Sequence, residues 1–279
     1  MKRGKRAGTS VCLPPPPTGK SVQESVRLVQ ISDLHIREQP GDIFASGLVT
    51  DHSLAQVLAD ILSREGPDKL VLVTGDLVQE PVRAAYSRLR EILLSFPFRY
   101  LCLPGNHDDP DLMRSVLSGP QFATSSSVGL GAWEILALDS TVPGAAHGRL
   151  GAGEMEKLRR RLSEPRSNPV LLGMHHQPVA VESPWLDRMA LADCDDLFGT
   201  VAESGRVRAI LFGHVHQAVD ATHRAVRMLG TPSTCVQFQP RTLTLDLDNL
   251  GPAWRWLDLH PDGTLETGVR HLDVACLAN

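Results

Sequence analysis

Five apolar runs in this chain end in residues that can hold a cation or move a proton. Asp33-Leu34-His35 follows 26–32, Gly75-Asp76 closes 69–76, and Asn106-His107-Asp108 follows 99–105. His175-His176 closes 169–176, and His214-Val215-His216 ends 206–214. Taken singly, each has an ordinary reading. Asp-x-His pairs arise by accident on surfaces, Gly-Asp opens a turn or caps a helix, and Gly, Asn, Asp and Pro around 105–110 are turn formers. A His beside a His can be a packed core residue with a neighbour. Two imidazoles at i and i+2 behind a buried strand are harder to explain as structure. All five ordinary readings would have to hold together. Carboxylates, an amide and several imidazoles instead make a mixed N/O ligand set. It suits divalent iron, manganese or zinc, and it lacks the thiolates of a structural zinc site.

Such residues need elements to carry them, and the pattern along the chain is that of an α/β protein. Strand-like runs at 26–32, 69–76, 99–105, 132–140, 169–176 and 206–214 alternate with helical periods. In 53–64, Leu54, Val57, Leu58, Ile61 and Leu62 recur at i, i+3, i+4, and Ser53 with Gln56 forms a candidate capping box. Further helices are expected at 82–96, 153–163 and about 193–204, and a β-rich stretch over 218–270. In open α/β sheets, sites gather beyond the carboxyl ends of strands, where these five clusters fall.

Composition narrows the class. The chain has 279 residues, 42% hydrophobic and 22% charged, with a net charge of −4. The first twenty residues hold five basic and no acidic groups, leaving 23 basic against 32 acidic residues beyond them. An acidic body argues against a nucleic-acid binder. Residues 1–22, with four consecutive prolines, read as a disordered basic tail, and 23–279 as one α/β domain. No run approaches the apolar length of a signal h-region behind the basic start, or of a membrane span. Five scattered cysteines fit a reducing compartment, so the expected location is the cytoplasm.

The ordered words "DLH", "GD", "GNHD", "HH" and "GHVH" resemble the calcineurin-like metallophosphoesterases over the chain from about residue 26. With "LDS…HGRL", "MHHQPV…WLD" and "TPSTCVQFQP", they are similar to the bacterial class III cyclic AMP phosphodiesterases. The resemblance implies a four-layer α/β/β/α sandwich and two divalent cations, iron or manganese foremost and zinc as an alternative. Asp33, His35 and His216 would hold one ion, and Asn106, His175 and His214 the other, with Asp76 bridging. His175 is taken over His176 because the first His of the run is the family's usual ligand. The implied reaction hydrolyses 3′,5′-cyclic AMP to 5′-AMP by attack of metal-activated hydroxide. His107 would protonate the leaving ribose oxygen, with Asp108 orienting it, and His35, Asp76, Asn106, His107 and His216 would meet the substrate. Another small phosphodiester, a cyclic nucleotide or a glycerophosphodiester, is the alternative within the fold. A non-catalytic scaffold is the alternative outside it, and it would be expected to have lost ligands.

This chain departs from the family words at two places. Gln177 stands where a His or Pro is usual, which bears on hydrogen bonding around the ligands, and Glu80 stands where an Asp is usual. Cys235 reads as a small buried hydrophobe, Trp254 and Trp256 as sheet-covering residues, and Arg159–Arg161 as a solvated helix face. His147 reads equally as a loop residue near the site or as a surface group.

Overall fold

The computed structural model describes residues 24–123 and 127–273. The elements are β1 (Val26–Ile31), α1 (Thr50–Glu65), β2 (Leu70–Thr74), α2 (Arg83–Leu94), β3 (Arg99–Leu103) and α3 (Pro110–Val116). They continue with β4 (Phe122–Ala123), β5 (Ser127–Leu130), β6 (Trp133–Ala137), α4 (Gly151–Leu162), β7 (Val170–Gly173) and α5 (Pro184–Asp187). The last are α6 (Cys194–Ser204), β8 (Val207–Phe212), β9 (Val219–His223), β10 (Val226–Gly230), β11 (Ala253–Leu259) and β12 (Leu265–His271). The tail expected over 1–22 lies outside the described residues.

Two six-stranded sheets result, in the orders β12-β11-β1-β2-β3-β4 and β5-β6-β7-β8-β10-β9. β1 to β4 run parallel, as do β6, β7, β8 and β10, while β11, β12, β5 and β9 pair antiparallel at the flanks. Strand alternation sorts the side chains into layers. Val29, Ile31, Val71, Val73 and Tyr100 turn outward to Leu54, Leu58, Tyr86 and Leu89 of α1 and α2. Leu28, Leu72 and Leu101 turn inward and meet Ile135, Leu171 and Leu211 of the other sheet. Leu172 and Ile210 face outward again, against Met155 and Leu158 of α4 and Leu197 of α6. The helices thus cover both outer faces, and the four-layer α/β/β/α order is the one observed. Among the described residues no helix is long and apolar enough to cross a membrane.

Several local expectations change. α1 begins at Thr50, with Val49 as an uncapped N-cap, because Ser53 Oγ donates to the carbonyl of Thr50 (3.0 Å) inside the first turn. α3 was hidden among the turn formers. The Asp109 carboxylate accepts from the amides of Asp111 and Leu112 (both 2.9 Å), and Pro110 opens the helix. The expected β-rich stretch is four strands interrupted by an irregular segment from 231 to 252. Arg161 is not part of a solvated face: it bridges Glu134 of β6 and Glu164. Trp254 is buried against α1, its indole N–H donating to Asp60 (2.9 Å), and Arg27 lies over Trp256.

Candidate metal centre

β1, β2, β7 and β8 stop one or two residues short of their polar clusters, and the backbone then kinks. Asp33 (φ 54°), His35 (47°), Asp76 (49°), His214 (66°) and His216 (48°) all adopt the left-handed conformation. Each such residue costs of order 1–3 kcal/mol unless its surroundings impose it. Here they do, since the amides of Asp33 and His35 donate to the carbonyls of Gly75 and Asp76 (both 3.0 Å). Asp33 with His35, and His214 with His216, therefore converge through paired kinks beyond the strands rather than through the strand pleat. Two glycines make room. A Cβ at Gly75 (φ 89°) would lie 2.6 Å from Cγ of His175, and one at Gly213 would lie 2.6 Å from Oδ2 of Asp33.

Hydrogen bonds on the far side of each ring set what faces inward. Nδ1–H of His35 donates to Oε1 of Gln79 (2.9 Å), and Nδ1–H of His216 donates to the carbonyl of Val236 (2.7 Å). Both Nε2 atoms then present lone pairs, 3.3 Å apart, with Oδ1 of Asp33 3.4 Å from that of His216. A second set lies alongside. Nδ1–H of His175 donates to the carbonyl of Thr74 (2.8 Å), and its Nε2 is 3.1 Å from Asn106 Oδ1, 3.2 Å from His214 Nδ1 and 3.3 Å from Asp76 Oδ1. The other oxygen of Asp76 lies 3.7 Å from His35 Nε2, so one carboxylate serves both sets. All seven expected ligands are brought together, and all but half-buried Asn106 are buried.

Lone pairs and carboxylate oxygens facing one another inside a protein repel unless a cation lies among them. The electrostatics agree. Burial drives His35 down to about 4 despite the pull of Asp76. Burial also works against charging His175, but Asp76 and Asp33 outweigh it and push that imidazole up to about 9. Burial disfavours the Asp76 charge too, yet His175 and His35 hold its carboxyl well below the usual range. Burial and the neighbouring imidazoles hold His214 well below the ordinary histidine value. Asp33-His35-His216, His35-Asp76-His107, Asp33-Asp76-His175 and His175-His176-His214 each place their ligand atoms within 4.8 Å of one another. The donor set fits a pair of divalent cations.

The two expected catalytic residues separate. His107 borders the centre, its amide donating to Asp76 (3.0 Å) and its ring centroid 5.0 Å from that of His35. Its Nδ1–H donates to the carbonyl of Gln79 (3.1 Å), which fixes the ring. Asp108 does not orient it. Its carboxylate accepts instead from the amides of Gly105 (2.8 Å), Leu77 (3.0 Å) and Val78 (3.3 Å) and from the Tyr86 hydroxyl (2.9 Å). It ties the loop of Asp76 to the loop of Asn106, and a carboxylate engaged by these four donors is turned away from the neighbouring ring.

Other expectations resolve. His176 donates or accepts at Ser140 Oγ (2.8 Å), behind the Asn106-facing His175. Gln177 does not bond around the ligands: its amide donates to the carbonyl of Leu186 (2.9 Å) and anchors α5. Glu80 pairs with Arg37 at the periphery (3.2 Å), and His147 is exposed. Cys235 is buried beside Ile43 and Val236.

"TPSTCVQFQP" turns out to be the outer support of the centre. Ser233 Oγ donates to the carbonyl of Asp33 (2.7 Å), Val236 holds His216, and the Phe238 ring stacks on His216 at 4.1 Å. Gln79, Val236 and Phe238 support the candidate ligands without having been singled out from the sequence. For Val236 and Phe238 the family likeness of 231–240 was the available signal; Gln79 lies outside that word.

A four-layer α/β/β/α sandwich carrying paired N/O ligand sets at its strand ends defines a candidate dinuclear metallohydrolase. The chain belongs to the calcineurin-like phosphoesterase family, whose sequence model matches residues 26–218. It is similar to the 3′,5′-cyclic adenosine monophosphate phosphodiesterase CpdA of Pseudomonas aeruginosa, 37% identical over 89% of this chain and 91% of that protein. The CpdA of Escherichia coli (strain K12) is 38% identical over 88% and 90%. A dimetal phosphatase from Danio rerio shares the fold, with a TM-score of 0.58 at 11% identity over 85% of this chain and 93% of that one.

Proposed function

We propose that this protein hydrolyses 3′,5′-cyclic AMP to 5′-AMP at a dinuclear metal centre. One observation carries the reading: two clusters of buried, mutually facing ligand atoms share Asp76, with the His107 imidazole at their edge. The choice of cyclic AMP is supported by the activity named for the two CpdA relatives. Asp33, His35 and His216 would hold one cation, and Asn106, His175 and His214 the other, with Asp76 between them. When bound, such a pair supplies Lewis acidity to the phosphoryl oxygens and brings the acidity of water near neutral pH.

The chain's own residues do the rest. Gln79 and the carbonyls of Val236 and Thr74 fix the tautomers of His35, His216 and His175, so that each Nε2 faces inward. As a water oxygen bonds to phosphorus, the P–O3′ bond breaks, and the ribose oxygen must take a proton. His107 is placed to give it from Nε2, because Nδ1–H is held by the Gln79 carbonyl and Nε2 is left as the ring nitrogen without that partner. The reading includes a cytoplasmic location, with the free thiols of Cys102, Cys194 and Cys235 in its support.

The test is turnover of cyclic AMP by Mn²⁺- or Fe²⁺-reconstituted protein, run beside cyclic GMP and bis(p-nitrophenyl) phosphate. Hydrolysis of cyclic AMP that is lost in Asp76→Ala is the expected result. Turnover of the artificial diester alone would leave the metal centre standing and sink the substrate. A protein that takes up no metal and cleaves neither would point to a scaffold.

A further inference from the structure

The polar floor of the centre continues into an apolar wall built by three distant segments. Phe238 lies flat on the ring of His216, with 4.1 Å between centroids and 13° between planes. Trp185 of α5 meets Phe238 at 5.2 Å and 65°, and Phe44 from the loop before α1 meets it at 5.6 Å and 76°. Together with Met189 and Leu245 these rings line the same cavity as His35, Asp76, Asn106 and His107.

Phe238 is buried, with one ring face on His216, and forms the floor of this wall; two features set the rings flanking it, Phe44 and Trp185, apart from ordinary core. Phe44 is 44% exposed, and it and Ala45 are successive left-handed residues (φ 54° and 50°). Backbone strain is thus maintained to hold a large apolar ring at the mouth of a charged site, where neither burial nor turn chemistry asks for one. The only hydrogen-bonding group among the three aromatic side chains, the indole N–H of Trp185, is engaged by Thr242 Oγ1 (3.3 Å). What faces the cavity is therefore ring surface without a polar edge.

We infer that Phe44, Trp185 and Phe238 form a stacking cleft for the base of the nucleotide whose phosphate rests on the metal centre. The inference builds on the cyclic nucleotide reading above. A sugar or glycerol moiety would need polar partners that this wall does not provide, whereas a planar heteroaromatic ring gains by stacking whatever its edge carries. The cleft reads the face of the base and leaves its edge unread, so adenine and guanine are held comparably.

The test is calorimetric binding of 5′-AMP, 5′-GMP and ribose 5-phosphate to the full chain loaded with Mn²⁺, in wild type, Phe44→Ala, Trp185→Leu and Phe44→Trp. Stacking of one base predicts 5′-AMP binding about tenfold tighter than ribose 5-phosphate in wild type. That ratio should fall toward unity in Phe44→Ala and Trp185→Leu and survive in Phe44→Trp. Because the ratio compares two ligands on one sample, a general loss of competent protein leaves it unchanged. Equal affinities in wild type, or a ratio untouched in both truncated variants, would overturn the cleft. A preference for AMP over GMP of about tenfold or more would overturn face-only reading, since stacking discriminates bases only modestly. Cyclic AMP turnover is measured in parallel. If the base preference stands without turnover, the proposed reaction falls and the cleft survives. Turnover without base preference keeps the reaction and removes the cleft.

Discussion

Gln79 holds His35 by its side chain and His107 by its main chain. Oε1 accepts from Nδ1–H of His35 at 2.9 Å, and the carbonyl oxygen accepts from Nδ1–H of His107 at 3.1 Å. One residue thereby sets the tautomer of a candidate ligand and of the candidate proton donor, through two groups that mutation can separate.

Replacing Gln79 by Leu removes only the first of these. Loss of such an outer partner typically costs about 10–100-fold in metal affinity. Chelator competition on the reconstituted variant should show a drop of that order. Affinity equal to wild type would mean that the His35 orientation is held by its left-handed backbone alone.

His107→Ala should lower cyclic AMP turnover by roughly 10²–10⁴-fold with metal content preserved. The ribose oxygen needs a proton as it leaves, whereas p-nitrophenolate departs without one, so the loss on the artificial diester should be much smaller. Equal losses on both substrates would assign His107 to binding and not to proton transfer.

The Tyr86 hydroxyl donates to Asp108 and accepts from the amide of Asp109, both at 2.9 Å, on a buried side chain. Tyr86→Phe leaves the Asp109 amide unsatisfied and takes one of four donors from Asp108, at about 1–3 kcal/mol. Urea unfolding should show a stability lower by that amount, read as a fall in midpoint at unchanged slope, while metal content holds. An unchanged midpoint would show that water replaces the hydroxyl.

Protonation and metal compete at His175. Its imidazole is pushed up to about 9 in the metal-free protein, above the ordinary value near 6.5. The His175–Asp76 interaction therefore stabilises the metal-free fold fully below about pH 6.5 and is lost as pH rises through about 9. Metal needs the unprotonated ring, so its affinity should climb with pH over the same window and its uptake near pH 7 should release protons. Calorimetry in buffers of differing ionisation enthalpy reads that release; uptake without proton exchange would contradict it.

Much of this was legible in the chain. The alternation of Leu28, Val29, Leu72 and Val73, apolar on both faces, reads as buried parallel strand, and the 3.6-residue period of Leu54 to Ile61 reads as helix. The ligand types and their order after successive strands were equally readable, because local chain direction determines where strand ends fall. The role of Asp108 was not. Its sequence neighbour is His107, but three of its four donors, Leu77, Val78 and Tyr86, lie more than twenty residues away.

The chain by itself thus determined which residues could ligate and which layers would carry them, since side-chain chemistry and hydrophobic period are properties of short stretches. Only the tertiary structure decided how the ligands meet. Convergence depends on left-handed kinks at Asp33, His35, Asp76, His214 and His216; Asp and His favour that region among non-glycine residues, but it is the hydrogen bonds of neighbouring loops that select these five. It likewise decided that Gln79, Val236, Phe238 and Phe44 belong to the site. Their contribution is a carbonyl, an amide or a ring face, and such groups acquire a function only from what packs beside them.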